Sequence, residues 1–225
     1  MHRVIRPDNL QHTVTAFFTG KVPGSDVEVI ASIAGIGKTQ IYFPLQQHTD
    51  KVLILRASLE PKIADAVVTN EKGILIGVQV ADCVPLLLFD KKRKVAGAVH
   101  AGWRGTASAI LKKTIEVMKS SFLCKPEDIM VAIGPSIRGC CYTVGHDVSE
   151  AVTRVTGGIS YHRRQGGQHC IDLAVANRDQ ALSMDISESN IWVSEECTYC
   201  NPDSFFSYRY AKGSTGRQTA VIGIF

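Results

Sequence analysis

Cys83 and His100 stand seventeen residues apart, each at the end of a run of β-branched and apolar residues. Upstream, His48 sits in Gln46-Gln47-His48-Thr49-Asp50, just past a run that stops at Pro44. Two chemistries suit these residue types. Two imidazoles and one thiolate make three tetrahedral zinc ligands and leave the fourth position open, the pattern of a catalytic zinc site. A thiol beside an imidazole also makes a nucleophile and its base. Spacing alone does not choose between them, and a packed cysteine and a satisfied histidine are the plainer alternatives.

Either chemistry requires elements that bring the three side chains together. Ile74 to Phe89 reads as buried strand, interrupted around Asp82-Cys83, and Val95 to Val99 reads as the next strand. The basic cluster Lys91-Lys92-Arg93-Lys94 between them reads as a solvated turn, so the two runs form a hairpin with Cys83 and His100 at its open end. A helix is predicted over Trp103 to Phe122, with Ala107, Leu111, Ile115, Met118 and Phe122 on one face. Ile129 to Ile133 is a short strand ended by Gly134-Pro135. Weaker helical spacing follows over His146 to Val155, then a helix over Asp172 to Met184. Strands over Ile191 to Val193 and Gln218 to Ile224 close the chain. Strands and helices mix without a βαβ rhythm. The expected class is α+β, a layered β-sheet core flanked by helices, in a single domain over residues 1–225.

One partial internal echo is visible. Lys112 to Cys141 runs helix, acidic turn, strand, cysteine pair, and Arg178 to Cys200 runs helix, turn, strand, cysteine pair. The pairs are Cys140-Cys141 and Cys197-Thr198-Tyr199-Cys200. Together they have the composition of a four-cysteine zinc site, but adjacent cysteines chelate poorly, and Asn201-Pro202 points to a turn rather than a redox helix. Ser32-Ile33-Ala34-Gly35-Ile36-Gly37-Lys38-Thr39 comes close to a phosphate-binding loop. It begins with Ser32 instead of glycine and runs into the strand-like Gln40 to Phe43, so it reads as a turn between two strands.

Composition sets the outer bounds. With 225 residues, 45% of them hydrophobic, and a formal net charge of only +4, the chain is neither disordered nor built as a nucleic-acid footprint. No run approaches the roughly 20 apolar residues that span a bilayer, and MHRVIRPDNL has no apolar signal region. A cytoplasmic protein with no membrane partner is expected, its seven cysteines being reduced thiols, metal ligands or nucleophiles. Seven histidines scattered singly do not suit a multicopper centre.

Several segments together resemble one family. They are Ala64-Asp65-Ala66-Val67-Val68-Thr69, Val80-Ala81-Asp82-Cys83-Val84-Pro85, Val99-His100-Ala101-Gly102-Trp103-Arg104-Gly105 and Ile133-Gly134-Pro135-Ser136-Ile137 with Cys140-Cys141-Tyr142-Thr143-Val144-Gly145. Asp172-Leu173 with Asn177, and Asn201 to Arg209 with Thr215-Gly216-Arg217, complete the set. The chain from about residue 45 onward resembles the purine nucleoside phosphorylase group of laccase-domain proteins. The resemblance implies an α+β fold with zinc held by His48, Cys83 and His100, copper being the second choice of metal. It implies phosphorolysis of adenosine, inosine and methylthioadenosine, with adenosine deamination beside it. The partners are then a purine nucleoside and phosphate, and the protein a monomer or homodimer. Residues 1 to 44 lack the Arg-Gly-Gly-Val-Ser-like loop and the Asn-Arg pair of the family, and Tyr208-Arg209-Tyr210 replaces Tyr-Arg-Arg.

Phosphorolysis passes through a ribosyl cation-like state and needs cations for phosphate. Arg209 is the first candidate and Arg104 the second, because a guanidinium grips phosphate with two N–H groups. Trp103, Phe205 and Phe206, with Tyr142, are candidates to stack on the purine. Deamination needs a carboxylate that shuttles protons, and Asp82 is the nearest in sequence to the ligand set. Two other readings stand beside this one: a metal-independent hydrolase using Cys83 and His100, and a non-catalytic zinc-binding accessory protein of cell-wall editing.

Overall fold

Val84–Asp90 and Val95–Ala101 have no exposed position. Strands buried throughout must be covered on both faces. The computed structural model, which describes residues 3–56, 58–156 and 161–225, shows what covers them.

In chain order the elements begin with β1 (Val4–Ile5), β2 (Thr15–Thr19), α1 (Val27–Ala34), β3 (Ile41–Tyr42) and β4 (Val52–Ile54). Next come β5 (Ala66–Thr69), β6 (Leu75–Val80), β7 (Val84–Asp90), β8 (Val95–Ala101), α2 (Trp103–Ala107) and α3 (Ile110–Phe122). The chain continues with β9 (Ile129–Ile133), β10 (Thr143–Val144), α4 (His146–Thr156), β11 (His162–Gln165) and β12 (Gln168–Ile171). It ends with α5 (Leu173–Leu182), β13 (Ile191–Val193) and β14 (Gln218–Gly223). Among the described residues these strands make a six-stranded sheet, β13-β9-β7-β8-β5-β4, a five-stranded sheet, β1-β2-β14-β6-β3, and a small sheet, β10-β12-β11.

The alternation of side chains along each strand builds four layers. One face of the six-stranded sheet (Val67, Leu87, Phe89, Ala98, Ala132) packs on the five-stranded sheet through Phe18, Ile76, Val78, Ala220 and Ile222. Its other face (Val68, Leu86, Leu88, Val99, Val131) packs under α3 and α5 through Leu111, Ile115, Met118, Ala174 and Ala181. The outer face of the five-stranded sheet carries α1, with Ile30 on Phe17, Leu75 and Val221. This is an α+β fold of stacked sheets flanked by helices.

Three elements differ from the sequence reading. The helix over Trp103 to Phe122 is two helices, broken at Ala109, which has φ 57°. The Thr106 carbonyl, which a continuous helix would give to Ile110, instead accepts from Ala109 N at 3.0 Å and from Gln180 Nε2 at 2.8 Å. The break leaves α2 over the open end of the β7–β8 hairpin while α3 lies along the sheet. Ser32 to Thr39 is not a turn between two strands. Helix α1 runs into it, started by the Asp26 carboxylate on the N–H groups of Glu28 and Val29, and ended by Gly35 at φ 69°. A phosphate-binding loop needs the helix after the glycines, and here it comes before them. Asp172 is the cap of α5, not its first turn. No helix among the described residues is long and apolar enough to cross a membrane.

Candidate metal centre

The hairpin does what the spacing requires. Val84 pairs with Ala101 and Pro85 with His100, so Cys83 lies just before β7 and faces the end of β8. His48 enters from the loop between β3 and β4. One ligand atom each from His48, Cys83 and His100 falls within 4.8 Å of the others. The two imidazole rings meet edge to face at 4.9 Å. Gly102 closes the approach: a methyl there would come within 3.0 Å of Cys83 Sγ and 3.3 Å of His48 Cδ2.

Asp65 fixes both histidines, and sequence reasoning gave it no role beyond membership of a motif. It is fully buried just before β5. Its backbone carbonyl accepts from His100 N at 2.7 Å and its Oδ1 meets His100 Nδ1 at 2.8 Å. The same carboxylate accepts from the backbone N–H groups of Gln47, His48 and Thr49 and from the Thr49 hydroxyl. It therefore orders the turn in which His48 takes a left-handed backbone, φ 57°. A bond from His100 Nδ1–H to Asp65 leaves Nε2 as the lone-pair donor, the usual arrangement of a ligating histidine. The signal in sequence was an acidic residue inside an otherwise apolar strand start.

Electrostatics follow from this arrangement. Burial disfavours ionised Asp65, but hydrogen bonds from His100 and Thr49 outweigh it and hold the carboxyl well below the usual range. Burial also disfavours a Cys83 thiolate, yet the His100 charge and hydrogen bonds from both imidazoles bring the thiol down to about 6. Burial pulls His100 down, and the Cys83 charge and the Asp65 hydrogen bond push it up to about 9. Free of metal, Cys83 and His100 favour the ion pair.

The three donors lie at the wall of a cavity of about 870 Å³. Trp103, Arg104, Tyr142, Arg209 and Arg217 line it too. The Arg104 guanidinium sits 4.5 Å from the Trp103 ring and that of Arg209 5.2 Å from the Tyr142 ring. Arg209 Nη1 also donates to the Thr143 carbonyl at 3.0 Å. Gln46, one residue pair upstream of His48, is locked to β6 by Gln79 N at 2.8 Å and the Gln79 carbonyl at 2.9 Å.

Asp82 also lines the cavity, in a left-handed backbone with φ 81°. Its carboxylate accepts from Thr198 Oγ1 at 2.6 Å and from Arg209 N at 2.7 Å, and its carbonyl accepts from Ile137 N at 3.0 Å. It ties three loops together beside Cys83, while Asp65 holds the imidazole. The structure does not bring Phe205 and Phe206 to the cavity. Phe205 is buried under Arg3, and Phe206 packs on Gly24 and Gly216 with Lys21 over its ring. Tyr208 and Arg209, two and three residues after Phe206, line the cavity instead. Arg217, quoted only as part of a motif, is a third cation on the cavity wall.

The chain belongs to the multi-copper polyphenol oxidoreductase laccase family, whose model matches residues 25–225, some 20 residues further upstream than the motifs alone reach. Among its relatives is the purine nucleoside phosphorylase of Aquifex aeolicus, 37% identical over 190 residues that cover 84% of this chain and 85% of that one. The purine nucleoside phosphorylase YlmD of Geobacillus stearothermophilus is 39% identical over 162 residues, 71% of this chain, and the match spans 59% of that protein's length. A crystal structure of YlmD from that organism superposes with a TM-score of 0.88 at 30% identity, over 95% of this chain and 92% of the other. A third relative, adenosine deaminase RL5 from an unknown prokaryote, is 33% identical over 207 residues, 84% of this chain and 76% of that one.

Proposed function

We propose that this chain is a zinc-dependent purine nucleoside phosphorylase acting on adenosine, inosine and methylthioadenosine, with adenosine deamination as a side activity. The observation that carries the reading is a single cavity in which a His–Cys–His donor set faces Arg104, Arg209 and Arg217. The names of the relatives support the same reaction class.

The donor set fits zinc: two nitrogens and one sulfur close together, one imidazole held by a buried carboxylate. Copper is the second choice. Held by His48, Cys83 and His100, zinc would supply Lewis-acid charge to the cavity. The Arg209 guanidinium rests against Tyr142 and donates to the Thr143 carbonyl, while the Asp82 carboxylate accepts from the Arg209 backbone N–H, so both the cation and the backbone that carries it have partners before phosphate arrives. Arg104 and Arg217 add charge on the same wall. Trp103 offers the purine an aromatic face. Asp82 is the cavity carboxylate available for proton transfer, and its hydrogen bonds make it also the positioning residue for Arg209. The reading places the enzyme in the cytoplasm, as a monomer or homodimer with no nucleic-acid or membrane partner.

One observation favours a second reading. The Cys83–His100 ion pair is what a metal-independent cysteine hydrolase would use. Product chromatography separates the readings. Zinc-loaded protein given adenosine should release free adenine only with phosphate, and His48→Ala should abolish it. Inosine as the sole product would remove the phosphorylase assignment and leave the deaminase. Turnover that survives chelation and ends on alkylation of Cys83 would favour the hydrolase. Zinc bound without turnover of any nucleoside would favour the accessory protein.

A further inference from the structure

Four cysteines outside the cavity also converge. Cys140, Cys141, Cys197 and Cys200 bring their sulfurs within 4.8 Å of one another. Cys141 and Cys200 are 3.2 Å apart, Cys140 and Cys141 3.5 Å, and Cys140 and Cys200 3.8 Å. All four are free thiols. Four thiolates about 2.3 Å from one tetrahedral zinc ion would lie about 3.8 Å from each other. A disulfide needs about 2.05 Å. The spacings among Cys140, Cys141 and Cys200 lie near that value and well outside bonding distance.

The internal echo explains how the cluster arises. Strands β9 and β13 pair in parallel, with Ile191 opposite Val131 and Val193 opposite Ile133. Two helix–turn–strand units set side by side in register must end at the same level, so the cysteine pair that follows each strand meets the other. Beyond the strands, Ser136 still bridges to Cys197. Adjacent cysteines chelate poorly on an extended backbone because their side chains diverge. Here Arg138 to Tyr142 is a turn, closed by bonds from Cys141 N and Tyr142 N to the Arg138 carbonyl, and both sulfurs face Cys200. The second pair sits in a turn closed by Asn201 on the Cys197 carbonyl. The Cys197 sulfur accepts the Arg138 N–H at 3.4 Å, the backbone contact that a metal-bound thiolate receives.

We propose that Cys140, Cys141, Cys197 and Cys200 form a second, structural metal site that binds one zinc ion. On binding, four S–H bonds are lost, four Zn–S bonds form, and four protons pass to solvent. The site would clamp the loop after β9 to the loop after β13. Those loops carry Ile137 and Thr198, both bonded to Asp82, so the clamp stands directly behind the wall that positions Arg209.

Metal analysis of protein purified under reducing conditions tests this. About two zinc equivalents per chain are expected, falling to about one in Cys140→Ser/Cys200→Ser and to about one in His48→Ala/His100→Ala. Cobalt added to metal-free His48→Ala/His100→Ala protein should give the intense sulfur-to-metal absorption of a tetrathiolate site. That readout needs no substitution in the cluster and no enzyme activity. About one equivalent in the wild type, unchanged in Cys140→Ser/Cys200→Ser, would overturn the proposal. So would cobalt spectra without thiolate absorption, or peptide mapping that finds Cys141 disulfide-bonded to Cys200 in the reduced preparation.

Discussion

The two donor clusters of this molecule are built from opposite materials. His48, Cys83 and His100 sit at strand ends and a bonded turn, with a fully buried carboxylate behind them and a cavity in front. Cys140, Cys141, Cys197 and Cys200 sit in two loop turns, with Cys140 and Cys200 exposed. Three mixed donors beside a cavity leave room for a substrate, while four sulfurs close a shell. The difference teaches that donor identity goes together with surroundings: the mixed set has a buried carboxylate behind it and a cavity in front, and the all-sulfur set lies outside that cavity, in loop turns.

The comparison breaks most visibly if the first cluster is not the reactive one. His100→Ala should lower phosphorolysis by about three orders of magnitude, the several kcal/mol that a lost metal centre represents. Initial rates with adenosine and phosphate check it, and an effect under tenfold would put the chemistry elsewhere. Next in size is Asp65→Asn, which keeps the shape but not the charge that orients His100 and the 47–49 turn. Zinc affinity should fall about 10–100-fold, read by competition with a chelating dye. The sign of the linked pH effect is fixed. Asp65 has a depressed folded pKa, so its contribution is present above the ordinary carboxylate range near 4 and is lost as pH falls below it. The acid limb of the unfolding curve of metal-free protein should therefore flatten in Asp65→Asn.

Thiol reactivity sharpens the contrast between the clusters. In metal-free protein, alkylation of Cys83 should rise with a midpoint near pH 6, while Cys140 responds only toward pH 11. Mass mapping after brief labelling at neutral pH should find Cys83 ahead of Cys140, although Cys140 is the more exposed. Added zinc should protect Cys83. The smallest effects separate the aromatics. Trp103→Ala should raise the KM for adenosine about tenfold, the worth of one base stacked on a ring. Phe206→Leu should move it roughly twofold or less, since Phe206 packs on Gly24 and Gly216 away from the cavity.

Much of this was legible from residue order. Strands buried on both faces leave continuous apolar runs, so β6, β7 and β8 stand out, and a short basic turn between two such runs leaves only a hairpin. The hairpin register follows, and with it the meeting of Cys83 and His100. The class of fold was within reach of types and spacings, and the family came from the resemblance of its motifs; the same motifs singled out His48, Cys83 and His100, whose side chains the structure brings together. Phe205 and Phe206 were harder, because an apolar ring near a motif reads the same whether it faces a ligand or a core.

What the sequence could not contain was decided by contacts between distant segments. Asp65 reaches Gln47, His48, Thr49 and His100 only after β5 lies beside β8. The break at Ala109 depends on Gln180, 71 positions later, taking a carbonyl from the helix ladder. The cysteine pairs meet because β9 and β13, about sixty residues apart, pair in parallel and in register. Local pattern is written in the period of apolar residues, which short-range sterics and burial enforce. Partnership across the fold depends on the desolvation of individual polar groups, and a buried carboxylate or carbonyl takes whichever donor the packing of layers delivers to it.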